Sequence, residues 1–373
     1  MKIVIIQGAF LPVPPIKGGA VEKIWYKLGQ EFAEQGHEVI HISKKVEVFA
    51  DIEFMNNVKH IRVKGYDAPK LLINLKLFDL FYSMRTIRYI PKDADVVITN
   101  TFWTPILLRG SLGKRVYVDV QRVPRWQMRL YTHVGRLRGC SPAICDSVKN
   151  ILPSKYHSIV SYIPNPIPFQ VKPINIKKSK TVLFTGRLHP EKGVHVLIEA
   201  FIVLSKKHEI GNWKLLIIGP HEYSEGGGGN NYFSILKLLS QNQNNIEFIG
   251  TVYNENELIE YYAKSSIFCY PAQRQSGDAA PVAPREAMAY GCVPVVSNLE
   301  CFKDFIENGV NGLTYDNNVV SQAEELSIVL WKLINDDILI EDISKRAKLI
   351  IKEFSTEIIG EQFLEDFGKM QKI

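Results

Sequence analysis

The chain has 373 residues, enough for two domains of ordinary size, and its 46% hydrophobic and 23% charged content is that of a soluble globular protein. Five cysteines without a CxxC pair speak against a disulfide frame or a zinc site, and no run of 18 apolar residues is long enough to cross a membrane. The net charge of +6 hides a division: residues 1–170 hold 24 Lys+Arg against 13 Asp+Glu, whereas residues 171–373 hold 21 against 26. A basic first half beside an acidic second half suggests that the first faces something anionic, such as a membrane surface or a phosphorylated acceptor.

The apolar run 3–6 predicts a buried strand, too short for the core of a secretion signal and broken by Gln7. FLPVPPIKGGA follows, a loop by its Pro and Gly content. Val21, Ile24, Trp25, Leu28 and Phe32 recur at helical spacing, Gly36 closes that helix, and 38–42 predicts the next strand. This strand–helix–strand unit is the seed of a parallel sheet. Gly18 and Gly19 stand where loop meets helix, so backbone can approach a ligand there, although a plain turn reads equally well. No GxGxxG follows the first strand, so a dinucleotide fingerprint is absent.

Residues 71–90, LLINLKLFDLFYSMRTIRYI, are apolar around much of a helix's circumference. Such a helix either packs inside the domain or rests on a membrane surface. Strands are predicted at 95–99 and 115–120. After them comes QRVPRWQMRLYTHVGRLR, where Arg122, Arg125, Arg129, Arg136 and Arg138 are interleaved with Trp126 and Tyr131. That pattern suits an acceptor phosphate or lipid headgroup, or a solvated face. A nucleic-acid patch is the third reading, but nothing else in the chain has that character, so no nucleic-acid partner is expected. Cys140 and Cys145 read as small buried residues.

The prolines of YIPNPIPF, 162–169, mark a hinge. A strand is predicted at 181–185, then a tight turn at Gly186 and a helix from about residue 194. Arg187 and Lys192 lie five positions apart in the intervening loop, a compact pair of cations for a diphosphate. Residues 214–219 and 246–250 read as strands, the second ending at Thr251 and Val252. Between them, GPHEYSEGGGGNN reads as a flexible surface loop. A helix over 257–264 and an apolar run at 267–270 lead into SGDAAPVAPREAMAYGCVPVVSN, 276–298. Pro284 suits a first helical turn, Gly291 ends the helix, and 293–296 is a buried strand. Asp278 and Glu286 are acceptor-only groups around that loop, suited to sugar or ribose hydroxyls, or else a solvated Asp and a helix-start Glu. The loop also offers backbone N–H groups at its helix end, among Ala280, Val282 and Ala283.

Asp278-x7-Glu286 followed by AMAYGCVPVVS, together with GRL-x-PEKG at 186–193, resembles the retaining glycosyltransferases of family four, which have the GT-B fold. The likeness runs over about residues 1–360. It departs from the family at the first acid, Asp where a Glu is usual, and at Pro281, where a Gly is usual. The resemblance implies an α/β fold of two facing Rossmann-like domains, over 1–163 and 164–355, with a helix over 356–373 crossing back to the first. It implies transfer of a sugar from a nucleotide-sugar, UDP- or GDP-linked, with retention and without a metal or other cofactor. Arg187 and Lys192 would hold the diphosphate, Glu286 the ribose and Asp278 the transferred sugar. Gly18, Gly19, Gly186, Thr251, Val252, Ala280, Val282 and Ala283 would complete the donor site.

The family's histidine near the transferred sugar falls at or near Gln121. With Arg122, Arg125, Trp126 and Arg129 it marks the acceptor side. The acceptor would be a glycan or a polyprenyl-linked glycan, met from the cytoplasm at an anionic membrane face, in surface polysaccharide or glycolipid assembly. A catalytically weak sugar-nucleotide-binding assembly component is the alternative.

Overall fold

The computed structural model describes all residues except 70–71, 175, 274–278 and 372–373. The chain forms two units, residues 1–169 with 354–373, and residues 170–353.

The first unit is built on eight strands: β1 (Lys2–Ile6), β2 (Glu38–Lys44), β3 (Ile52–Met55), β4 (Val58–Val63), β5 (Val96–Thr99), β6 (Val116–Val120), β7 (Arg136–Gly139) and β8 (Val160–Tyr162). Their order is β3-β4-β2-β1-β5-β6-β7-β8, parallel except for the β3–β4 hairpin. Ile3 pairs with Val39 on one side and Val96 on the other, so β1 is central. Its continuous apolar run is buried on both faces, as a covered parallel strand must be. Helix α1 (Ala20–Glu34) buries Ile24, Trp25, Leu28 and Phe32 of the stripe read from the sequence and leaves its first member, Val21, half-buried.

The hairpin went unread because its signal is an Asn56-Asn57 pair. Both residues have positive φ, 52° and 61°, which asparagine tolerates in a tight turn. Strands β7 and β8 were also missed. Arg136 and Arg138 lie in β7 and are buried there, so two of the five arginines in the supposed basic patch are interior. Asp366 and Asp119 face them at 3.0 and 2.6 Å and balance their charge.

The helix Thr356–Gln371 belongs to the first unit. Phe363 packs on Trp25 and Phe367 on Phe32 and Tyr117, with ring centroids 4.9–5.7 Å apart. Asp366 accepts from Tyr117 Oη at 2.8 Å and Ser161 Oγ at 2.9 Å. The Pro-rich segment expected as a hinge is instead buried from Ile163 to Phe169. Its Ile167 N–H donates to the Phe354 carbonyl at 2.7 Å, and the chain leaves the first unit only after Phe169.

The second unit carries β9 (Ser179–Thr185), β10 (Lys214–Ile218), β11 (Ile246–Gly250), β12 (Ser265–Tyr270), β13 (Val293–Ser297) and β14 (Leu313–Tyr315). All are parallel, in the order β11-β10-β9-β12-β13-β14. The order reverses between β9 and β12. In open parallel sheets of this kind, ligands bind beyond the carboxyl ends of the strands at that reversal.

Candidate active site

The loop after β9 and the loop after β12 meet at this reversal. Gly186, at φ 152°, turns the chain out of β9, and Gly219 makes the matching turn after β10. A Cβ on Gly219 would lie 1.8 Å from the Gly186 carbonyl oxygen, so the two turns can touch only without side chains. At Gly193, φ 70°, a Cβ would lie 1.9 Å from the Pro271 carbonyl oxygen. Gln273 N–H donates to the Glu191 carbonyl at 2.8 Å, and Ser297 Oγ to the Ala272 carbonyl at 2.7 Å. The two loops are therefore joined backbone to backbone.

Lys192 is buried on the three-residue turn Pro190–Lys192. Its Nζ lies 5.7 Å from the centre of the Tyr270 ring and 3.9 Å from Glu191. Arg187 is half-buried; its Nη1 donates to the Gly226 carbonyl at 2.8 Å and its Nη2 to Glu191 Oε1 at 3.0 Å. A guanidinium has five N–H donors, so this arrangement leaves capacity for an anion. Glu191, which sequence reasoning passed over, sits between the two cations.

The glycine-rich segment, expected as a flexible surface loop, packs against the loop after β9. It is not a flexible loop but a packed wall. Gly228 N–H donates to the Leu188 carbonyl and Gly229 N–H to that of His221, at 2.8 and 2.7 Å, and Gly227 and Gly229 are buried. Glycine runs read as flexible when nothing faces them; here the Arg187–Leu188 loop does.

Glu286 lies in the helix Ala283–Ala289, buried, and accepts from Tyr262 Oη at 2.7 Å. Tyr262 gives its one proton to this carboxylate, so Thr185 Oγ1, 2.8 Å away, donates to the phenol oxygen. Burial and the Glu286 charge hold the Tyr262 hydroxyl far above its usual pKa. The chain Glu286–Tyr262–Thr185 thus fixes the acid to the end of β9, next to Gly186 and Arg187. Val282 is buried and Ala280 and Ala283 half-buried on the approach to the helix, while Thr251 is exposed and Val252 half-buried at the end of β11. Asp278 lies outside the described residues.

The pattern of the family described as Glycosyl transferases group 1 matches residues 167–350, the stretch that holds these features. An uncharacterized glycosyltransferase of Haemophilus influenzae is 26% identical over 92% of this chain and 95% of its own. The capsular polysaccharide biosynthesis glycosyltransferase CapM of Staphylococcus aureus is 28% identical over 48% of this chain and 43% of its own. The alpha-monoglucosyldiacylglycerol synthase of Acholeplasma laidlawii is 22% identical over 96% and 94%. Among solved structures, sucrose-phosphate synthase of Thermosynechococcus elongatus superposes with TM-score 0.80 at 15% identity, covering 99% of both chains. Anabaena HepE in complex with UDP superposes with TM-score 0.71 at 15% identity, covering 99% and 100%. The chain is a glycosyltransferase with the GT-B fold, its residues 167–350 matching the group 1 pattern.

The glycosyltransferase also carries buried groups that its motifs did not reveal. Arg285, next to Glu286, is fully buried with its guanidinium 4.3 Å from the centre of the Phe305 ring. Tyr262 was hidden in a helix read only for its period; a tyrosine one turn before a buried strand is its sole sequence signal. Among the described residues, no group of three or more His, Cys, Asp or Glu could hold a metal, and no helix is long and apolar enough to cross a membrane.

In the first unit, Gly18 and Gly19 have φ 72° and 97°. A Cβ on Gly19 would lie 2.2 Å from Glu22 Oε2, so the Glu22 carboxyl folds back onto the glycine loop. Burial pushes its pKa up to about 7, against the pull of Arg122. Gln121 is bound into a polar cluster. Its Nε2 donates to Asp119 at 2.9 Å and to Asn165 Oδ1 at 3.0 Å, and its Oε1 accepts from Asn165 at 2.9 Å. Its amide is spent inside the unit, where Arg138 and Trp25 also hold Asp119. Arg122, Arg125, Trp126 and Arg129 are exposed.

Proposed function

We propose that the glycosyltransferase moves a sugar from a UDP- or GDP-sugar, with retention at the anomeric carbon, to a glycan or polyprenyl-linked acceptor. One observation carries this reading: Arg187, Lys192 and Glu286 converge at the carboxyl ends of β9 and β12, where the strand order reverses. Departure of a nucleoside diphosphate builds negative charge, and two preorganised cations stabilise it most where water is scarce. Lys192 meets that condition because it is buried, and Arg187 is held by two hydrogen bonds. The reaction then needs no metal. Glu286 is the ribose ligand, its orientation set by Tyr262, and Asp278 binds hydroxyls of the transferred sugar.

Backbone groups at Gly18, Gly19, Gly186, Thr251, Val252, Ala280, Val282 and Ala283 serve donor binding. Arg122, Arg125, Trp126 and Arg129 serve the acceptor. The UDP bound by HepE supports the donor class. The polysaccharide and glycolipid roles in the names of the S. aureus and A. laidlawii relatives support an acceptor of surface polysaccharide or glycolipid assembly, met at the inner membrane face.

The test separates the two acids. Glu286→Gln is expected to raise the donor KM and weaken calorimetric binding of the bare nucleoside diphosphate. Asp278→Asn is expected to lower kcat, because its contacts tighten as the sugar nears the transition state. If diphosphate binding survives Glu286→Gln unchanged and kcat survives Asp278→Asn, these assignments are wrong.

A further inference from the structure

Helix α2 (Leu72–Thr86) is inverted. The side it turns inward is polar: Asp79, Tyr82, Ser83 and Thr86 are buried. Asp79 Oδ2 accepts from the N–H groups of Phe102 and Trp103 at 3.0 Å each, and Thr104 Oγ1 donates to Ser83 Oγ at 3.2 Å. The side it turns outward is apolar. Ile73 is 76% exposed, Leu77 46%, Phe81 44% and Met84 44%. At helical spacing these four fall within an arc of about 80°. Core packing covers Leu77, Phe81 and Met84 only in part and leaves Ile73 mostly bare, so it does not explain the exposed part of this stripe.

The stripe continues onto the segment after β6. Trp126 is 59% exposed, and Lys76 Nζ stands 5.6 Å from its ring and 4.7 Å from that of Phe102, joining helix and segment into one surface. Residues 72–90 and 121–131 carry the cations Lys76, Arg85, Arg88, Arg122, Arg125 and Arg129. Their one carboxylate, Asp79, faces inward.

We infer that the outer face of α2 with Trp126 is a docking surface for an anionic lipid bilayer. An apolar stripe flanked by long cations lies in the plane of a membrane interface, with apolar side chains among the acyl chains and cations at the headgroups. A tryptophan at its margin suits the same boundary. Among the described residues, the exposed side chains of these two segments are cations and apolar or aromatic groups, with no acid among them, which matches an anionic, apolar-cored bilayer in both charge and hydrophobicity. The inference rests on the proposed reading only in making the bilayer the place where a lipid-linked acceptor is met.

The test uses the full chain without donor or acceptor. It is sedimented with vesicles of phosphatidylcholine alone, or with about a third phosphatidylglycerol. Binding to the anionic vesicles is expected to exceed that to the neutral ones by roughly tenfold, to weaken with salt and to blue-shift tryptophan emission. Trp126→Phe should remove most of that spectral shift. The triple variant Ile73→Gln, Leu77→Gln, Phe81→Gln should lose roughly tenfold in vesicle affinity. Its melting temperature and its hydrolysis of donor should stay those of the parent. Equal binding by parent and triple variant would overturn the inference, as would no binding to anionic vesicles at low salt. So would a parent dimer that the triple variant dissociates, since the stripe would then cover a second copy of the chain. Vesicle binding without glycosyl transfer to any acceptor would remove the proposed function and leave the surface standing. Transfer to a detergent-dispersed acceptor without vesicle binding would do the reverse.

Discussion

The two units solve the same problem, a covered parallel sheet, with different materials. The second unit brings loops together through absent side chains: Gly186, Gly193, Gly219 and Gly226–Gly229 let backbone meet backbone around two cations and an acid. The first unit instead buries polar side chains in closed networks. Asp119 alone is held by Arg138, Trp25 and Gln121, and Asp366 by Arg136, Tyr117 and Ser161. A site made of glycine turns is written in consecutive residues, because each glycine is demanded by its neighbour's position. A site made of side-chain networks is assembled from residues tens of positions apart. The family pattern matches residues 167–350, the part of the chain whose site is written in consecutive residues.

That contrast breaks first at Asp119. Asp119→Asn would leave Arg138 fully buried without its counter-charge, at a cost of about 3–5 kcal/mol. Denaturant titration should show the loss in the first unit, and a loss below about 1 kcal/mol would mean the network is dispensable. In the second unit the equivalent blow is steric. Gly193→Ala drives a Cβ into the Pro271 carbonyl and is expected to cost about 3 kcal/mol, with activity lost as the two loops part. A variant melting with the parent would show that the loops need not touch.

The buried titratable groups of the first unit give a smaller, signed effect. His41 and His60 are fully buried, stacked 5.5 Å apart beside Arg62, and burial lowers both pKa values, that of His60 to about 4. The unfolded chain takes up the His60 proton near pH 6.5 and the folded one only near 4, so this contribution is full above 6.5 and is lost as pH falls through that window. Between pH 7 and 5, His60→Phe should gain about 2 kcal/mol relative to the parent. Glu22 has the opposite slope. Its pKa is raised from the ordinary 4.5 to about 7, so its ionisation destabilises the fold as pH rises through that interval. Glu22→Gln should therefore raise the melting temperature at pH 8 and leave it nearly unchanged below pH 4.5. Parallel pH profiles for parent and both variants would mean that neither group is buried in the folded state.

The smallest expected effect is on chemistry rather than stability. Lys192→Met keeps the buried stem and removes the charge. It is expected to lower kcat/KM at least tenfold, about 1.4 kcal/mol, with the melting temperature held. Activity within about twofold of the parent would take Lys192 out of the mechanism and leave Arg187 as the working cation.

The sequence by itself determined β1, β2, β5, β6, β9, β10, β11 and β13, because a parallel strand covered on both faces is a run of apolar residues and needs no partner to be recognised. It determined α1 by period, and the positions of Gly186, Arg187, Lys192 and Glu286 by adjacency within two short motifs. Only the tertiary structure decided the rest. The packing of Gly226–Gly229 depends on Arg187, some 40 residues away, and a glycine run carries no mark of what faces it. The β3–β4 hairpin hung on two asparagines in a conformation that composition does not announce. Arg136 and Arg138 read as surface until partners at 366 and 119 placed them inside. In α2 the apolar period is visible, but which side of a helix meets the protein is not a property of the helix. It was settled by Phe102, Trp103 and Thr104, whose N–H and hydroxyl groups needed acceptors and drew Asp79 and Ser83 inward.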